Sequence, residues 1–236
     1  MGPMGPPRGG PIGPITIRPS PSRYNPQMTY DALIFDLDGT LWDAAAASTY
    51  GWNIALEKLG LTTRITVDDI RSVSGTPFDQ CVATLLPELH PAAEATIAFI
   101  DEHERFGIEA VGGTLYEGVG EGLRALAARY RLFLVSNCPN WYLEAFFRIT
   151  DLGSCFAGSD CHGASGLDKS NMLRVLSCKH GLDRALYVGD TQGDRNSAEA
   201  AGMEFAFASY GFGETSTPAL SFSNFSELVE RFLRLV

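Results

Sequence analysis

Long apolar runs, a secretory leader and an excess of positive charge are all missing from this sequence. No uninterrupted apolar stretch reaches the roughly 20 residues that cross a bilayer, and the N-terminal residues lack the apolar block of a secretory signal. The formal net charge of −10 disfavours a nucleic-acid partner, because an acidic protein repels a phosphate backbone. We therefore expect a cytoplasmic protein without a membrane or nucleic-acid partner.

Paired cysteine motifs are also absent, although the chain has five cysteines. No C-x-x-C pair occurs, and the cysteines and histidines between residues 155 and 180 do not have the spacing of a common zinc finger. An odd number of cysteines without a secretory signal is typical of free thiols in a reducing compartment. We predict that these thiols are reduced and bind no zinc.

Residues 1–27 differ in composition from the rest of the chain. They contain eight of the 13 prolines, five glycines, three arginines and no acidic residue. Such a segment buries too little apolar surface to offset the entropy lost on ordering. We predict a disordered tail at residues 1–27. A basic docking segment is the alternative, and Met28 is a candidate start of the native chain.

Four short apolar runs predict the strands of a parallel sheet. The runs lie at residues 32–35, 132–135, 185–188 and 205–208. Short runs of this kind, without polar alternation, are typical of strands that are buried on both faces. Apolar residues recur at helical spacing between them, at residues 118–128, 141–149, 171–179 and 195–201. Strands that alternate with helices predict an α/β fold with a doubly wound, mostly parallel sheet.

The segment from residue 44 to residue 111 interrupts this alternation. It contains helical patterns and no convincing core strand. The patterns lie at residues 45–59, 68–74, 78–86 and 92–106. We predict an all-helical cap at residues 44–111, inserted into a core that consists of residues 28–43 and 112–236.

Two carboxylates, Asp36 and Asp38, follow the first predicted strand and precede Gly39. In doubly wound folds, ligands bind at the carboxyl ends of the strands. One acid of such a pair can attack phosphorus while the other carries a proton to the leaving oxygen, and glycine lets the backbone turn closely around the site. Taken alone, the pair is also compatible with a polar turn.

Ser136 and Asn137 end the second predicted strand, and Lys169 precedes a predicted helix. Hydroxyl and amide hydrogens at a strand end can donate to phosphoryl oxygens. A lysine cation can hold a phosphoryl group close to the Asp36 carboxylate. Ser-Asn is also common in turns, and a lone lysine is commonly a surface charge.

Two further acids, Asp190 and Asp194, follow the third predicted strand. Magnesium prefers oxygen ligands and keeps several waters in its coordination shell. We expect Asp36 and Asp190 to supply carboxylates, Asp38 to supply its carbonyl oxygen, and Asp194 to contact metal-bound water. A helix cap is the alternative role for Asp194.

The chain resembles the haloacid dehalogenase-like hydrolases in four motifs that occur in order: Asp36-x-Asp38-Gly39-Thr40, Ser136, Lys169 and Gly189-Asp190-x-x-x-Asp194. The resemblance covers about residues 30–213 and is nearest to phosphoglycolate phosphatase-like members. It implies a Rossmann-like core, Asp36 as nucleophile, Asp38 as acid and base, and Mg²⁺ as cofactor. It also implies substrate contacts from Thr40, Ser136, Asn137 and Lys169. The acid at position 38 favours phosphoryl chemistry, because haloacid dehalogenases proper lack it.

Specificity is expected to lie in the cap. Residues 74–77 form a predicted turn between two helical patterns, at the position of a substrate-facing loop in members of this family. Thr76 and Arg71 are therefore candidate substrate contacts, and a plain surface role is the alternative for Arg71. Trp42 is predicted either to line the mouth of the pocket or to fill the seam between core and cap.

The predicted function is Mg²⁺-dependent hydrolysis of a small phosphate monoester, phosphoglycolate or a similar metabolite, through an aspartyl phosphate on Asp36. A sugar-phosphate mutase is the nearest alternative, since the same core can transfer its phosphoryl group to a sugar hydroxyl. A phospho-acceptor signalling module is the second alternative, but its acidic pair and its phosphorylated aspartate lie on different strands. The sequence is compatible with a monomer or a homodimer.

Overall fold

The computed structural model describes residues 30–234, and the tail predicted at residues 1–27 lies outside this range. The strands are β1 (Ala32–Phe35), β2 (Trp42–Asp43), β3 (Thr114–Leu115), β4 (Arg131–Ser136), β5 (Phe156–Cys161), β6 (Ala185–Gly189), β7 (Glu204–Ala208) and β8 (Ser221–Phe222). The helices are α1 (Ala45–Lys58), α2 (Val67–Val73), α3 (Phe78–Leu85), α4 (Glu94–Val111), α5 (Val119–Ala127), α6 (Asn140–Thr150), α7 (His162–Ser165), α8 (Lys169–His180), α9 (Gln192–Ala201) and α10 (Phe225–Arg234). None of these helices is both long and apolar enough to span a membrane.

Six of the strands form one parallel sheet in the order β5-β4-β1-β6-β7-β8. β1 is central, with Phe35 opposite Leu134 of β4 and opposite Val188 of β6. The three strands therefore end at the same edge of the sheet. The polar residues that follow them are brought together at that edge, as expected for a doubly wound fold.

The apolar run of β1 is continuous because both faces of the strand are covered. Leu33 and Phe35 pack in a hydrophobic cluster with residues of α5, α6 and α10. Ala32 and Ile34 point the other way, into a cluster with residues of α8 and α9. This burial on both faces confirms the predicted doubly wound α/β sheet.

The four predicted strands are β1, β4, β6 and β7, each within one residue of the predicted limits. Five features were not predicted from the sequence: β5, β8, α7, α10 and the pair formed by β2 and β3. β5 is an edge strand of alternating exposure without an apolar run, and β2, β3 and β8 have two residues each. α10 has a strongly one-sided apolar face, with Phe225, Leu228 and Phe232 buried, so its periodicity was available in the sequence.

The helices α1 to α4 lie between β2 and β3 and form the inserted helical cap. They enclose an apolar core of their own, which includes Trp52, Ile70, Val82, Leu86 and Ile100. β2 pairs antiparallel with β3, so the chain enters the cap and leaves it at neighbouring points. The inserted helical cap is confirmed as part of the fold, and the exact domain limits at residues 44 and 111 stay a prediction.

Trp42 fills the seam between core and cap and does not line the cavity described below. Its side chain has no exposed surface. The indole meets Tyr142 and Phe146 of α6 edge to face, with ring centroids 5.6 and 5.1 Å away. Of the two predicted roles, the structure therefore supports packing, with the ring anchoring β2 against α6.

α1 and α4 cross closely, because two glycines face the opposite backbone. A Cβ atom at Gly51 would overlap the carbonyl oxygen of His103, and one at Gly107 would overlap that of Ala47. The close crossing fixes the position of Glu104, the residue that follows His103, relative to α1.

We expect Gly51→Ala to lower the free energy of unfolding by about 1–3 kcal/mol, because the added methyl group overpacks the crossing of α1 and α4. Gly120→Ala in α5 is the matched control, since a Cβ there has no neighbour closer than 3.6 Å. This control should gain about 0.4–1 kcal/mol by restricting the unfolded chain. Urea unfolding followed by circular dichroism measures both variants, and equal effects would contradict a close helix crossing.

Candidate active site

Asp36 and Asp38 lie in the loop that follows β1, at the carboxyl edge of the sheet. The backbone N–H of Asp36 donates to the carbonyl oxygen of Val188 at 2.8 Å, which extends the pairing with β6 beyond the strand. Gly39 has a φ angle of +77°, and a Cβ atom there would overlap the carboxylate of Asp190. Glycine therefore lets this loop pass directly against a second carboxylate-bearing loop.

Lys169 is the first residue of α8, and Asp168 caps this helix by accepting the N–H of Asn171. The Nζ atom of Lys169 lies 2.9 Å from Oδ1 of Asp36 and 2.6 Å from Oδ1 of Asp194. Burial lowers the pKa of Lys169, but the carboxylates of Asp194 and Asp36 outweigh this effect and the pKa is raised overall. The lysine is therefore a stable cation between two buried acids.

Asp36, Asp190 and Asp194 bring three buried carboxylates together around this lysine. One oxygen from each lies within 4.8 Å of the other two. Burial raises the pKa of Asp36 to about 6, although the charge of Lys169 opposes the rise. Burial, followed by the charges of Asp194 and Asp36, raises the pKa of Asp190 to about 8. One lysine does not balance three carboxylates in a buried site.

This cluster suits a divalent cation. Oδ2 of Asp36 is buried and accepts no hydrogen bond from the described residues. A buried carboxylate oxygen without a partner is destabilising unless a cation or a donor reaches it. The donor set consists of oxygens alone, as hard cations such as Mg²⁺ require. The residues Asp36, Asp190 and Asp194 therefore fit a metal site.

Asp194 has a structural role in addition to its place in this cluster. Its Oδ2 accepts hydrogen bonds from the N–H of Asp190 at 3.2 Å, and from the N–H and the hydroxyl of Thr191 at 3.0 and 2.7 Å. Thr191 and Asp194 together form the capping box of α9. The helix-cap role is thus observed, and the contact with metal-bound water stays a prediction.

Asp38 is bound by a tyrosine hydroxyl. The hydroxyl of Tyr142 donates to Oδ1 of Asp38 at 2.6 Å. Burial raises the pKa of Asp38 to about 7, and the hydrogen bond from Tyr142 partly opposes the rise. An acid with a pKa near the working pH is suited to proton transfer in both directions.

The predicted phosphoryl-binding residues take different positions at this edge. Ser136 ends β4 within the buried site, and its Oγ accepts the N–H of Cys138 at 3.3 Å. The amide of Asn137 donates to the carbonyl oxygen of Gly75 in the cap loop at 2.8 Å. Thr40 donates to Oδ1 of Asp190 at 3.4 Å, which orients that carboxylate. The roles of these residues in binding substrate stay predictions.

Thr76 and Arg71, the two candidate substrate contacts in the cap, lie in different surroundings. The hydroxyl of Thr76 donates to the carbonyl oxygen of Val73 at 2.7 Å, and Thr76 lines the cavity next to Asp38. Arg71 lies outside that lining and forms an ion pair with Asp43 of β2, with Nη2 2.6 Å from Oδ2. Arg71 therefore joins the cap to the core, and its predicted contact with substrate stays untested.

A cavity of about 60 Å³ lies between the loop after β1 and the cap. Asp38, Ser136 and Asn137 line it from the core, and Thr76 and Glu104 line it from the cap. The sequence analysis did not identify Glu104 or Tyr142. Glu104 had a visible signal, because this acid stands in a stripe at i, i+4 spacing with the buried residues Ile100 and Ile108.

We expect Lys169→Met to lower the free energy of unfolding by about 3–5 kcal/mol without added metal, because it leaves buried carboxylates without their cation. The folded-state pKa values of Asp36 and Asp190 already lie above the ordinary value of 3.8 and should rise further. Such groups stabilise the fold only when protonated, so the loss should grow as the pH rises from about 4 to about 8.

Lys179→Met, on the exposed side of the same helix, is the control and should stay within about 0.5 kcal/mol of wild type. Denaturant unfolding at pH 5 and pH 8 measures both variants. A loss for Lys169→Met that is equal at the two pH values would contradict the assigned charge balance.

Comparisons with known proteins agree with this geometry. Residues 33–208 match the family model of the haloacid dehalogenase-like hydrolases. The phosphoglycolate phosphatase of Rhodobacter capsulatus is 32% identical, over 84% of this chain and 94% of its own. That of Psychrobacter arcticus is 29% identical, over 88% and 97%. A haloacid dehalogenase-like family hydrolase of Streptococcus pneumoniae has the same fold, with a TM-score of 0.73 at 22% identity over 86% of this chain and 98% of that one. The family match spans most of the chain, from β1 to β7, and the chain belongs to the haloacid dehalogenase-like hydrolases.

Proposed function

We propose that this protein is a Mg²⁺-dependent phosphatase that hydrolyses a small phosphate monoester through an aspartyl phosphate on Asp36. Its family and its curated relatives support phosphatase activity. Phosphoglycolate, named for those relatives, or a metabolite of similar size is the candidate substrate. The observation that carries the proposal is the different environment of two acids two residues apart: Asp36 is bound by Lys169, whereas Asp38 is bound by Tyr142.

The first step uses these two environments. The pKa of Asp36, about 6, lies below that of Asp38, about 7, so at neutral pH Asp36 is the more ionised acid and Asp38 more often holds a proton. A carboxylate oxygen of Asp36 forms a bond to phosphorus while the bond from phosphorus to the ester oxygen breaks. The ester oxygen takes the proton of Asp38 and leaves as an alcohol.

The second step regenerates the enzyme. Water attacks the phosphorus of the aspartyl phosphate, and Asp38 accepts a proton from that water. The bond between phosphorus and the Asp36 oxygen breaks, which releases inorganic phosphate. Tyr142 keeps Asp38 in position for both proton transfers.

Several groups in the site are suited to the charge of a phosphoryl group. Asp36, Asp190 and the Asp38 carbonyl would hold Mg²⁺, with Asp194 at metal-bound water, and the ion would supply positive charge next to the phosphoryl oxygens. Lys169 supplies a fixed cation at Asp36. Ser136 and Asn137 stand at the end of β4, where their hydrogens can donate to the same oxygens.

The size of the cavity favours a small leaving group. Its volume of about 60 Å³ holds roughly five water-sized groups, at about 10–15 Å³ for each. A leaving alcohol of two or three carbons fits within this space. No observation among the described residues favours the mutase or the signalling module. A cytoplasmic location and a monomeric or homodimeric state stay predictions.

We expect Asp190→Asn to raise the magnesium concentration needed for half-maximal activity by at least about 10-fold, because it removes one charged ligand. Phosphate release at increasing Mg²⁺ concentrations measures the change. Asp183→Asn, which replaces an exposed acid just before β6, is the control and should leave this concentration unchanged. Full activity of the wild type in excess chelator would exclude the magnesium mechanism.

Asp38→Asn tests the proton donor through the leaving group. An alkyl phosphate expels a basic alkoxide that needs a proton, whereas nitrophenyl phosphate expels a stable anion. Because general acid catalysis typically contributes about 10²–10⁴-fold, kcat/KM should fall much further for the alkyl ester. Both esters are compared in wild type and variant at saturating Mg²⁺. Equal proportional losses would mean that Asp38 does not protonate the leaving group.

A further inference from the structure

Glu104 is a buried carboxyl group on the cap side of the active-site cavity, and the two-step reaction does not use it. Its side chain is only 8% exposed, and it forms no ion pair with any residue in the part of the chain described. Burial raises its pKa to about 7, although the Ser48 hydroxyl and the Trp52 indole lie beside it and oppose the rise. Glu104 is therefore a buried acid without a charged partner among the described residues, which is unfavourable for its ionised form.

The charge of the cavity wall has one sign. Among the described residues that line the cavity, Asp38 and Glu104 are ionisable acids and none is lysine, arginine or histidine. The nearby cations are committed elsewhere, since Lys169 binds Asp36 and Asp194, and Arg71 binds Asp43. A negative group on the substrate, beyond the phosphoryl group itself, would therefore meet two acids and no cation.

Three hydroxyl groups of the wall direct their hydrogens to the protein. Tyr142 donates to Asp38 at 2.6 Å, Thr76 donates to the carbonyl oxygen of Val73 at 2.7 Å, and Ser74 donates to that of Ile70 at 3.0 Å. What these groups offer a ligand is lone pairs.

Asn137 adds a further acceptor to the same wall. One of its amide hydrogens reaches the carbonyl oxygen of Gly75, and its buried Oδ1 accepts no hydrogen bond from the described residues. Glu104 and Asn137 thus add to the hydrogen-bond acceptors of the cavity wall. The cavity therefore suits a ligand with many hydrogen-bond donors.

We propose that the substrate is an aminoalkyl phosphate, whose ammonium group at the end of a short leaving alcohol binds Glu104. This inference rests on the phosphatase function proposed above and, of the two candidates given there, favours a metabolite of similar size over phosphoglycolate itself. An ammonium group has three donors and no acceptor, which complements the cavity wall. Trp52 and Phe78 also line the cavity, and aromatic rings attract cations. A two-carbon amino alcohol has four heavy atoms, which fits the volume of about 60 Å³.

The test compares three esters of similar size that differ at the end of the leaving group. They are 2-aminoethyl phosphate, ethyl phosphate and phosphoglycolate, whose tails are cationic, neutral and anionic. The full chain is assayed for phosphate release at neutral pH and saturating Mg²⁺, with nitrophenyl phosphate as a general substrate. We expect kcat/KM to be highest for the aminoethyl ester, by roughly 10-fold to 100-fold over ethyl phosphate, as a charged hydrogen-bonded partner typically provides, and lowest for phosphoglycolate.

Glu104→Gln keeps the shape of the side chain and removes its charge. This variant should lose most of the preference for the aminoethyl ester over ethyl phosphate, while its activity on nitrophenyl phosphate shows that it is folded. Glu102→Gln, on the exposed side of the same helix, should keep the preference of the wild type.

The outcomes separate the two proposals. Hydrolysis of nitrophenyl phosphate without a preference for the aminoethyl ester, or a preference that survives in Glu104→Gln, overturns the inference and leaves the phosphatase intact. Faster hydrolysis of phosphoglycolate than of the aminoethyl ester overturns it as well. If none of the four esters releases phosphate, both the phosphatase proposal and the inference are overturned.

Discussion

One buried lysine among three buried aspartates is the interaction on which the arrangement of the core depends. Lys169 begins α8, Asp36 follows β1, Asp190 follows β6 and Asp194 lies in the first turn of α9. Each charge would cost several kcal/mol to bury alone. Four elements must therefore meet in register before any of these charges is compensated, and the packed sheet beneath them supplies that register through the pairing of β1 with β4 and β6.

The cap adds contacts without sharing in this charge cluster. It reaches the core through the ion pair of Arg71 with Asp43 and through the carbonyl oxygen of Gly75, which accepts a hydrogen bond from Asn137. Gly75 and Asn137 also line the cavity. The charged cluster thus stands at the ends of strands, while part of the cavity wall belongs to a separately packed helical unit.

Much of the core and its site could be predicted from the sequence, because parallel strands buried on both faces leave continuous apolar runs that stop at polar residues. Asp36, Ser136 and Asp190 stand at three such ends, and the structure brings them to one edge. The destinations of Arg71, Trp42 and Glu104 could not be predicted in the same way. These contacts depend on how the cap packs against the core. Helical periodicity predicts which face of a helix is buried, but it does not predict which residues pack against that face.

The central place of β1 in the sheet affects the order in which the chain assembles. During synthesis this apolar strand emerges first, yet its partners begin only at Arg131 and Ala185. The helices of the cap are synthesised in between. They can therefore pack against one another before either strand that pairs with β1 has been made. Such a high contact order slows folding of the core, and an unpaired apolar edge is prone to association. β1, the strand that precedes Asp36, is therefore the part of the nascent core that stays unpaired longest.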